Sequence, residues 1–562
     1  MNRKTTIVTF CLLLGLVANV PTASAQIKPV EQFLKRYRPS NVALPPSTSE
    51  QAQALAEMIR SGQLPLTEND LVNLIIRNNL DIGANRLSPL SSEFLVDTFY
   101  RPFEPTLRLG ATVTRNTTLS TSQLSGALSL SQLTHNYTVG FGQTLPTGTS
   151  VGVDFSLVRA SSNSSFTLFN PSWTGLVRYS VTQHLLNNFG RLANTHQILV
   201  AQKNKQVSDV TFEKQVMDLV AQAQKSYWDL VFTAEDIKVK QRSMDLAQKT
   251  LSDNEIQVKI GTMAPIDLNQ AQSEVASRRL QLVTSTYTQA QTEDQVKKLI
   301  TNQQDPGMVL AKLVPLQPVR KPAAGDVPTI EEAIRIALEN RPELRQLQLT
   351  IESKDIDLKY TKNQLLPTLD ISASYNQNGL GGVQNVRSGF GPSAPIIGVI
   401  PGGLGESLSQ LFGYSFAGYA AGFSLEIPLR NRAAQADNAR AMTDKKIAEN
   451  QLTAMTQQIA LEVRNAMTQV EMQRASIDAA QTARELAERQ LAAEQKKFDL
   501  GASTVRFVLE EQRNVAQAQT DEIAALVNYT KALVDLDHAT GMTLKKNNVQ
   551  IDKTLNPAVA SK

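Results

Sequence analysis

Cysteine is nearly absent. The one thiol among 562 residues, Cys11, lies in an apolar run near the N-terminus, which excludes a disulfide framework and a cysteine-built metal site from the rest of the chain. Histidine is equally scarce: His135, His184, His196 and His538 include no pair one helical turn apart, the spacing of a helix-borne zinc site. No glycine loop for phosphate and no nucleophile constellation is present, and the carboxylates alternate with Lys and Arg as on a solvated face. No catalytic, cofactor-binding or metal-binding residue is assigned, and no enzyme is expected. A formal net charge of +4 over such a length gives no reason to expect nucleic acid. Past the N-terminal run, no apolar stretch reaches the roughly 20 residues of a membrane-spanning helix. Any contact with a membrane must use strands or the surface.

What is present begins with the three parts of a secretory signal: Arg3 and Lys4, the apolar run 7–20, and Ala23-Ser24-Ala25. Residues 1–25 read as a signal peptide, with the mature chain starting near Gln26. Residues 26–65, containing PSNVALPPS, read as an N-terminal extension, a linker or strap, and 546–562 as a C-terminal tail.

The remainder repeats itself. TENDLVNLIIRNNLDI (67–82) aligns with TIEEAIRIALENRPEL (329–344), and the same offset carries Pro105-Thr106-Leu107 onto Pro367-Thr368-Leu369. Later, a different offset pairs Gly261 with Gly501 and Gln272 with Gln512, so the first copy holds extra residues in its middle. Each copy reads helix, strand region, long helix, glycine turn, long helix. The first covers 66–316, with strands about 105–185 and a helical hairpin about 190–303. The second covers 325–545, with strands about 367–428 and a hairpin about 432–542.

The strand regions alternate with a period of two. Leu107, Leu109, Ala111 and Val113 interleave with Thr106, Arg108, Thr112 and Thr114; Val177, Tyr179 and Val181 close the first region. Leu369, Ile371, Ala373 and Tyr375 open the second, and Tyr419, Ala421, Phe423, Leu425 and Ile427 close it. Alternation alone fits a sandwich as well as a barrel.

The helical regions carry a narrow, alanine-rich seam at steps of four and three. In the second copy it runs through Ile459, Val463, Ala466, Val470, Gln473, Ile477, Ala480, Arg484, Ala487, Leu491, Glu494 and Phe498, and in the first from Leu219 to Val258. A helix over 191–259 would extend roughly 100 Å at 1.5 Å per residue, too long for one compact domain. By periodicity alone a solvated coiled-coil rod fits equally well. Gly501 falls where the seam stops, as a left-handed helix terminator does; Ser503 or Thr504 is expected to cap the next helix, and Pro265 suits the first turn of its counterpart. Each copy thus ends in a hairpin tip.

With these parts in this order, VKIGTMAPIDLNQAQ and KFDLGASTVRFVLEEQ included, the chain from about Leu66 to Gly541 resembles the TolC-like outer-membrane efflux family. The resemblance implies a mixed α/β membrane protein, internally duplicated: a homotrimer whose chains each give four strands to a twelve-stranded β-barrel, continued by a long α-helical coiled-coil tunnel across the periplasm of a Gram-negative-type cell. It implies a passive, gated exit duct for a tripartite efflux or type I secretion system. Its partners would be outer-membrane lipid, a periplasmic adaptor (membrane fusion protein) and an inner-membrane transporter. The competing expectation is a periplasmic coiled-coil adaptor or scaffold, which should lack the alternating strand regions. The exported substrate is left open.

By the same resemblance, spacing from Gly501 places two periplasmic gate candidates, Phe507 as an apolar constriction and Glu510 as a cation-attracting ring. The alternative is a seam phenylalanine and a solvated carboxylate. The adaptor would dock at Ile260, Gly261 and Thr262 and at Leu500, Gly501, Ala502 and Ser503. The chain departs from the family pattern in three places. An extra alternating pair, at 137–145 and 151–157, reads as an external hairpin or an addition to the strands; His184 stands where Pro428 matches the family's proline; and the apolar segment 395–405 has no assigned role. Gln26 occupies the place of a lipidated cysteine, so no lipid anchor is expected.

Overall fold

The computed structural model describes residues 37–39, 59, 62–121, 125–261, 263–300, 309–319, 321–323, 325, 327–389 and 394–549. The signal peptide, most of the extension and nearly all of the tail lie outside them. The chain divides into two units, Met1–Ser47 with Thr554–Lys562, and Thr48–Lys553. Of the first only 37–39 is described, and every helix and strand among the described residues belongs to the second.

The chain enters through β1 (Gln63–Leu66), α1 (Glu68–Asn78) and α2 (Leu80–Thr98). Thr67 closes a reciprocal capping box with Asp70, and Asn79 caps α2 by accepting from the amides of Asp81 and Ile82. Four antiparallel strands follow: β2 (Thr106–Leu119), β3 (Ser129–Thr144), β4 (Thr149–Ser162) and β5 (Phe169–His184). Then come the 69-residue α3 (Arg191–Lys259), its return α4 (Pro265–Ile300), and β6 (Lys312–Pro315), which pairs in parallel with β1. The second half runs α5 (Ile330–Asn340), α6 (Pro342–Asn363), β7 (Thr368–Arg387), β8 (Ile396–Ile400), α7 (Leu404–Phe412), β9 (Ala417–Glu426), the 68-residue α8 (Arg432–Asp499), α9 (Val505–Ala539) and the short α10 (Thr543–Lys546).

The expected seams are where the helices pack: no position named in either copy is exposed, and Ile459, Val463, Val470, Ile477 and Ala487 are buried outright. The largest core joins α1, α3, α4 and the β1–β6 pair through Leu71, Ile75, Val220, Tyr227, Ile300 and Leu313. There the Tyr227 hydroxyl donates to the Leu66 carbonyl and accepts from the Gln317 amide, both at 3.2 Å, so the buried phenol is satisfied.

The strands correct the expectation of four per chain. β2, β3, β4, β5, β7 and β9 lie side by side in one seven-stranded sheet, with short β8 beside the outer end of β7. The extra alternating pair is β3 and β4, an addition to the sheet and not an external hairpin. Its turn at Pro146-Thr147-Gly148 sits at the helical end, where the Gly190 amide donates to the Thr147 carbonyl and the His184 amide to that of Gly148. The pair was visible as alternation, but its neighbours were not, because register is a long-range property.

Register makes the two faces explicit. One row across six strands reads Leu107, Phe141, Val153, Tyr179, Tyr375 and Tyr419; the adjacent row, on the opposite face, reads Arg108, Gly140, Asp154, Arg178, Asn376 and Gly418. Every member of the first row is exposed. A sandwich would cover this face with a second sheet; here, among the described residues, only α7 lies on it. Both edges are also open, β2 being exposed at every residue and β9 at nearly every one.

Where proline was expected, His184 Nδ1 lies 2.6 Å from Asp370 Oδ1, tying the ends of β5 and β7 together. The passage into α3 is held by amides instead: Asn363 accepts from the Asn188 amide and donates to the Leu186 carbonyl, and Asn194 donates to the Asn188 carbonyl. The apolar segment 395–405 becomes β8 and the start of α7.

Candidate gate at the helical tips

Both hairpin tips turn on a glycine with a left-handed backbone, Gly261 at φ 83° and Gly501 at φ 74°. At the second tip the Gly501 amide donates to the Phe498 carbonyl (2.9 Å) and the Ala502 amide to that of Lys497 (2.8 Å), the two bonds of a Schellman motif that satisfy the last carbonyls of α8. The first tip makes the equivalent Gly261 to Val258 bond at 3.1 Å. An added Cβ would meet nothing within 4 Å at either glycine. The glycines are there for φ, not for close packing within the chain.

The expected side-chain cap is not made. The Ser503 hydroxyl donates to Glu494 across the turn, and Thr504, at the N-cap of α9, makes no side-chain cap bond. With Ser503 first and Lys497 second, these contacts hold the Glu494 carboxyl below its ordinary range. Ser503 therefore latches α9 to the last turns of α8, a role that spacing alone could not distinguish from capping.

The tips present apolar groups to solvent. Ile260 and Leu500 are 68% and 83% exposed, and Ile266, which sequence reading passed over, is 74% exposed. Gly261, Gly501 and Ala502 are exposed and Ser503 is half-buried, while Thr262 lies outside the described residues. The exposed apolar tips contrast with the solvated flanks of the same helices.

Val505, Val508, Leu509 and Gln512 form the packed face of α9. Phe507 and Glu510, three residues apart and therefore on one face, are both exposed, so Phe507 is not a seam residue within the chain. Among the described residues Glu510 has no ion-pair partner. Behind this face, Gln512 donates to Thr250 of α3 at 3.2 Å. Arg513 Nη2 donates to Glu274 of α4 at 2.8 Å, and Glu274, itself buried, also receives Arg278 at 2.8 Å. Sequence reading missed this cluster because its partners belong to different copies. Among the described residues no group of acids and histidines is arranged to hold a metal ion, and no helix is long and apolar enough to cross a membrane.

The sequence profile of the family described as outer membrane efflux protein matches residues 71–302 and 333–542, both halves of the duplicated plan. The chain belongs to this family. Family membership makes it an outer-membrane efflux protein. No curated protein matches the chain. Among solved structures, the Campylobacter jejuni CmeC outer membrane channel superposes with a TM-score of 0.60 at 15% identity, over 85% of this chain and 86% of that one. The outer membrane protein VceC of Vibrio cholerae gives 0.58 at 13%, over 84% and 96%. The open state of the Neisseria gonorrhoeae MtrE outer membrane channel gives 0.56 at 16%, over 86% and 91%. At such identities the likeness is one of fold.

Proposed function

We propose that this efflux protein works as a homotrimeric, passive exit duct, serving a tripartite efflux or type I secretion system. The observation that carries the reading is the two-faced sheet with two open edges. Its apolar face is exposed apart from the part under α7, its polar face is lined by Arg, Asp, Asn, Ser and Gly, and six long strands are too few to close a water-filled barrel by themselves. β2 runs away from the helical end and β9 runs back toward it, so β9 of one chain meets β2 of the next antiparallel, as every other neighbour in the sheet does. Three chains of six long strands close an eighteen-stranded barrel, wider than the twelve strands that the family resemblance implied. The added strands are β3 and β4.

In this reading each chain supplies a third of one wall, and its repeats 66–316 and 325–545 alternate around it. The exposed tips are the docking surface for a periplasmic adaptor, Phe507 and Glu510 ring the inner end of the pore, and an inner-membrane transporter supplies the energy. Strand count and closure are tested together by imaging the detergent-solubilised protein and by disulfide trapping between β9 and β2. Gly418→Cys with Thr112→Cys should yield trimers covalently closed under oxidation. Monomers in the osmotic-shock fraction would sink the duct.

A further inference from the structure

The apolar face of the sheet ends outward at a row of different character. Two residues beyond Leu157, Arg159 faces the same side, opposite His135 on β3 and Trp173 on β5, with its guanidinium 5.9 Å from the Trp173 ring centre. On β7 the same level is Gly381, opposite Trp173, and just inward Gly379 lies opposite Gly175. These glycines form a flat floor, and α7 rests on it. A Cβ on Gly379 would stand 2.0 Å from the Ser407 carbonyl oxygen, and one on Gly381 2.2 Å from that of Gly403. Ser407 and Leu411, one turn apart, face the floor and are buried; Ser407 Oγ donates to the Gly379 carbonyl at 3.1 Å, and the Leu380 amide donates to Gln410 Oε1 at 3.0 Å.

Gly379 and Gly381 are an even number of residues from Tyr375 along β7, so α7 lies on the face of the exposed tyrosine row and not on the face of Arg108 and Asp154. Away from the sheet, Leu404, Phe412 and Tyr414 are exposed. Between Arg387 and Glu426 the one charged residue is Glu406, and its carboxylate is taken up by the start of α7, accepting from the Gly403 amide at 2.6 Å. Depth agrees with this. The ten steps along the strand from Leu369 to Gly379 cover about 33 Å, or about 25 Å of height at a tilt near 40°, the height of the lipid-facing band of an outer-membrane barrel. α7 sits at the outer limit of that band, beside the Arg159–Trp173 pair, where arginine and tryptophan meet headgroups.

We propose that α7 and the turn after it, 404–414, form an in-plane anchor in the outer leaflet, with Leu404, Phe412 and Tyr414 inserted at the boundary of headgroups and acyl chains. The inference rests on the barrel reading above. Its occupant is lipid, because the surface is continuous with the lipid-facing rows of the sheet.

The test uses nitroxide labels on the full chain, with Cys11→Ser throughout, reconstituted in vesicles of phosphatidylethanolamine and phosphatidylglycerol. Labels go at Phe412→Cys, at Val153→Cys on the apolar face of the sheet, and at Ser374→Cys on its polar face. The anchor predicts that the label at 412 collides with oxygen in preference to a water-soluble nickel chelate, as at 153 and unlike 374, and that adding Gly379→Val, which displaces α7, removes that preference. Nickel access at 412 with oxygen access at 153 overturns the anchor and leaves the barrel standing. Shielding of 412 from both probes means that protein covers α7, and overturns a lipid occupant. Nickel access at 153 as well overturns the barrel, and the anchor with it.

Discussion

Arg513 of α9 donates a hydrogen bond to Glu274 of α4 at 2.8 Å, joining the returning helix of the second copy to that of the first. The duplication makes this contact informative: each hairpin is closed by its own seam, so whether the tips stay together depends on bonds between hairpins. Arg513 is 60% exposed and Glu274 only 8%. The pair is therefore weak on the arginine side and costly to disturb on the carboxylate side.

Arg513→Ala should lower the thermal midpoint little, by the equivalent of under about 1 kcal/mol, yet raise single-channel conductance in a planar bilayer by freeing α9 from α4. Glu274→Gln should raise conductance and also cost stability, because it leaves Arg278 buried without its carboxylate. Unchanged conductance in both would show that this pair does not hold the tips.

Glu510 and Phe507 separate charge from size. Glu510→Ala should reduce cation preference with a modest change in conductance, whereas Phe507→Ala should raise conductance and leave the reversal potential alone. Neither should shift the melting temperature appreciably, since both side chains are exposed. A large stability loss in Phe507→Ala would instead indicate a packing role between chains.

One row of the sheet carries the opposite charge. Arg108, Asp154 and Arg178 share one row of its polar face, two cations to one anion in each chain. If that face lines the pore, this level of the barrel attracts anions while the tips attract cations. Arg108→Gln with Arg178→Gln should move the reversal potential of a tip-opened variant such as Phe507→Ala toward cations. No movement would place this row away from the conduction path.

The tips and seams were legible in the sequence because their determinants are local. A heptad-like step fixes a helix face within two turns, and a residue at φ near 74° is almost required to be glycine. The sheet was legible only as alternation. Nothing near Tyr137 or Val153 says that β3 and β4 stand between β2 and β5, and Gly175, Gly379 and Gly381 read as weak strand residues until α7 is seen lying on them. The Ser503 cap failed for a related reason: a hydroxyl at a helix start has two acceptable partners, and Glu494, nine residues back, wins over the α9 amides.

Two carboxylates in the helical part give opposite pH dependences. Burial works against the charged form of Asp218, but hydrogen bonds from His538 and Lys214, each at 2.7 Å, outweigh it and hold the carboxyl below its ordinary 3.8. A depressed acid contributes stability above its unfolded pKa and loses it as pH falls through the folded one. His538→Ala should therefore lower the melting temperature at neutral pH, by no more than the equivalent of about 1 kcal/mol for a carboxylate 40% exposed, and the deficit should close on strong acidification. Glu68 behaves in reverse. Burial pushes its carboxyl above 4.5 despite the hydrogen bond from Gln224, and the charge of Asp537 adds to the rise. A raised acid costs stability where it is ionised, fully so above its folded pKa, and the cost disappears below the unfolded one. Glu68→Gln should thus raise the melting temperature at neutral pH, with the gain shrinking toward zero as pH drops below about 4.5. Melting curves of the two variants over one pH series decide the matter, since the difference from the parent must narrow from below for His538→Ala and from above for Glu68→Gln.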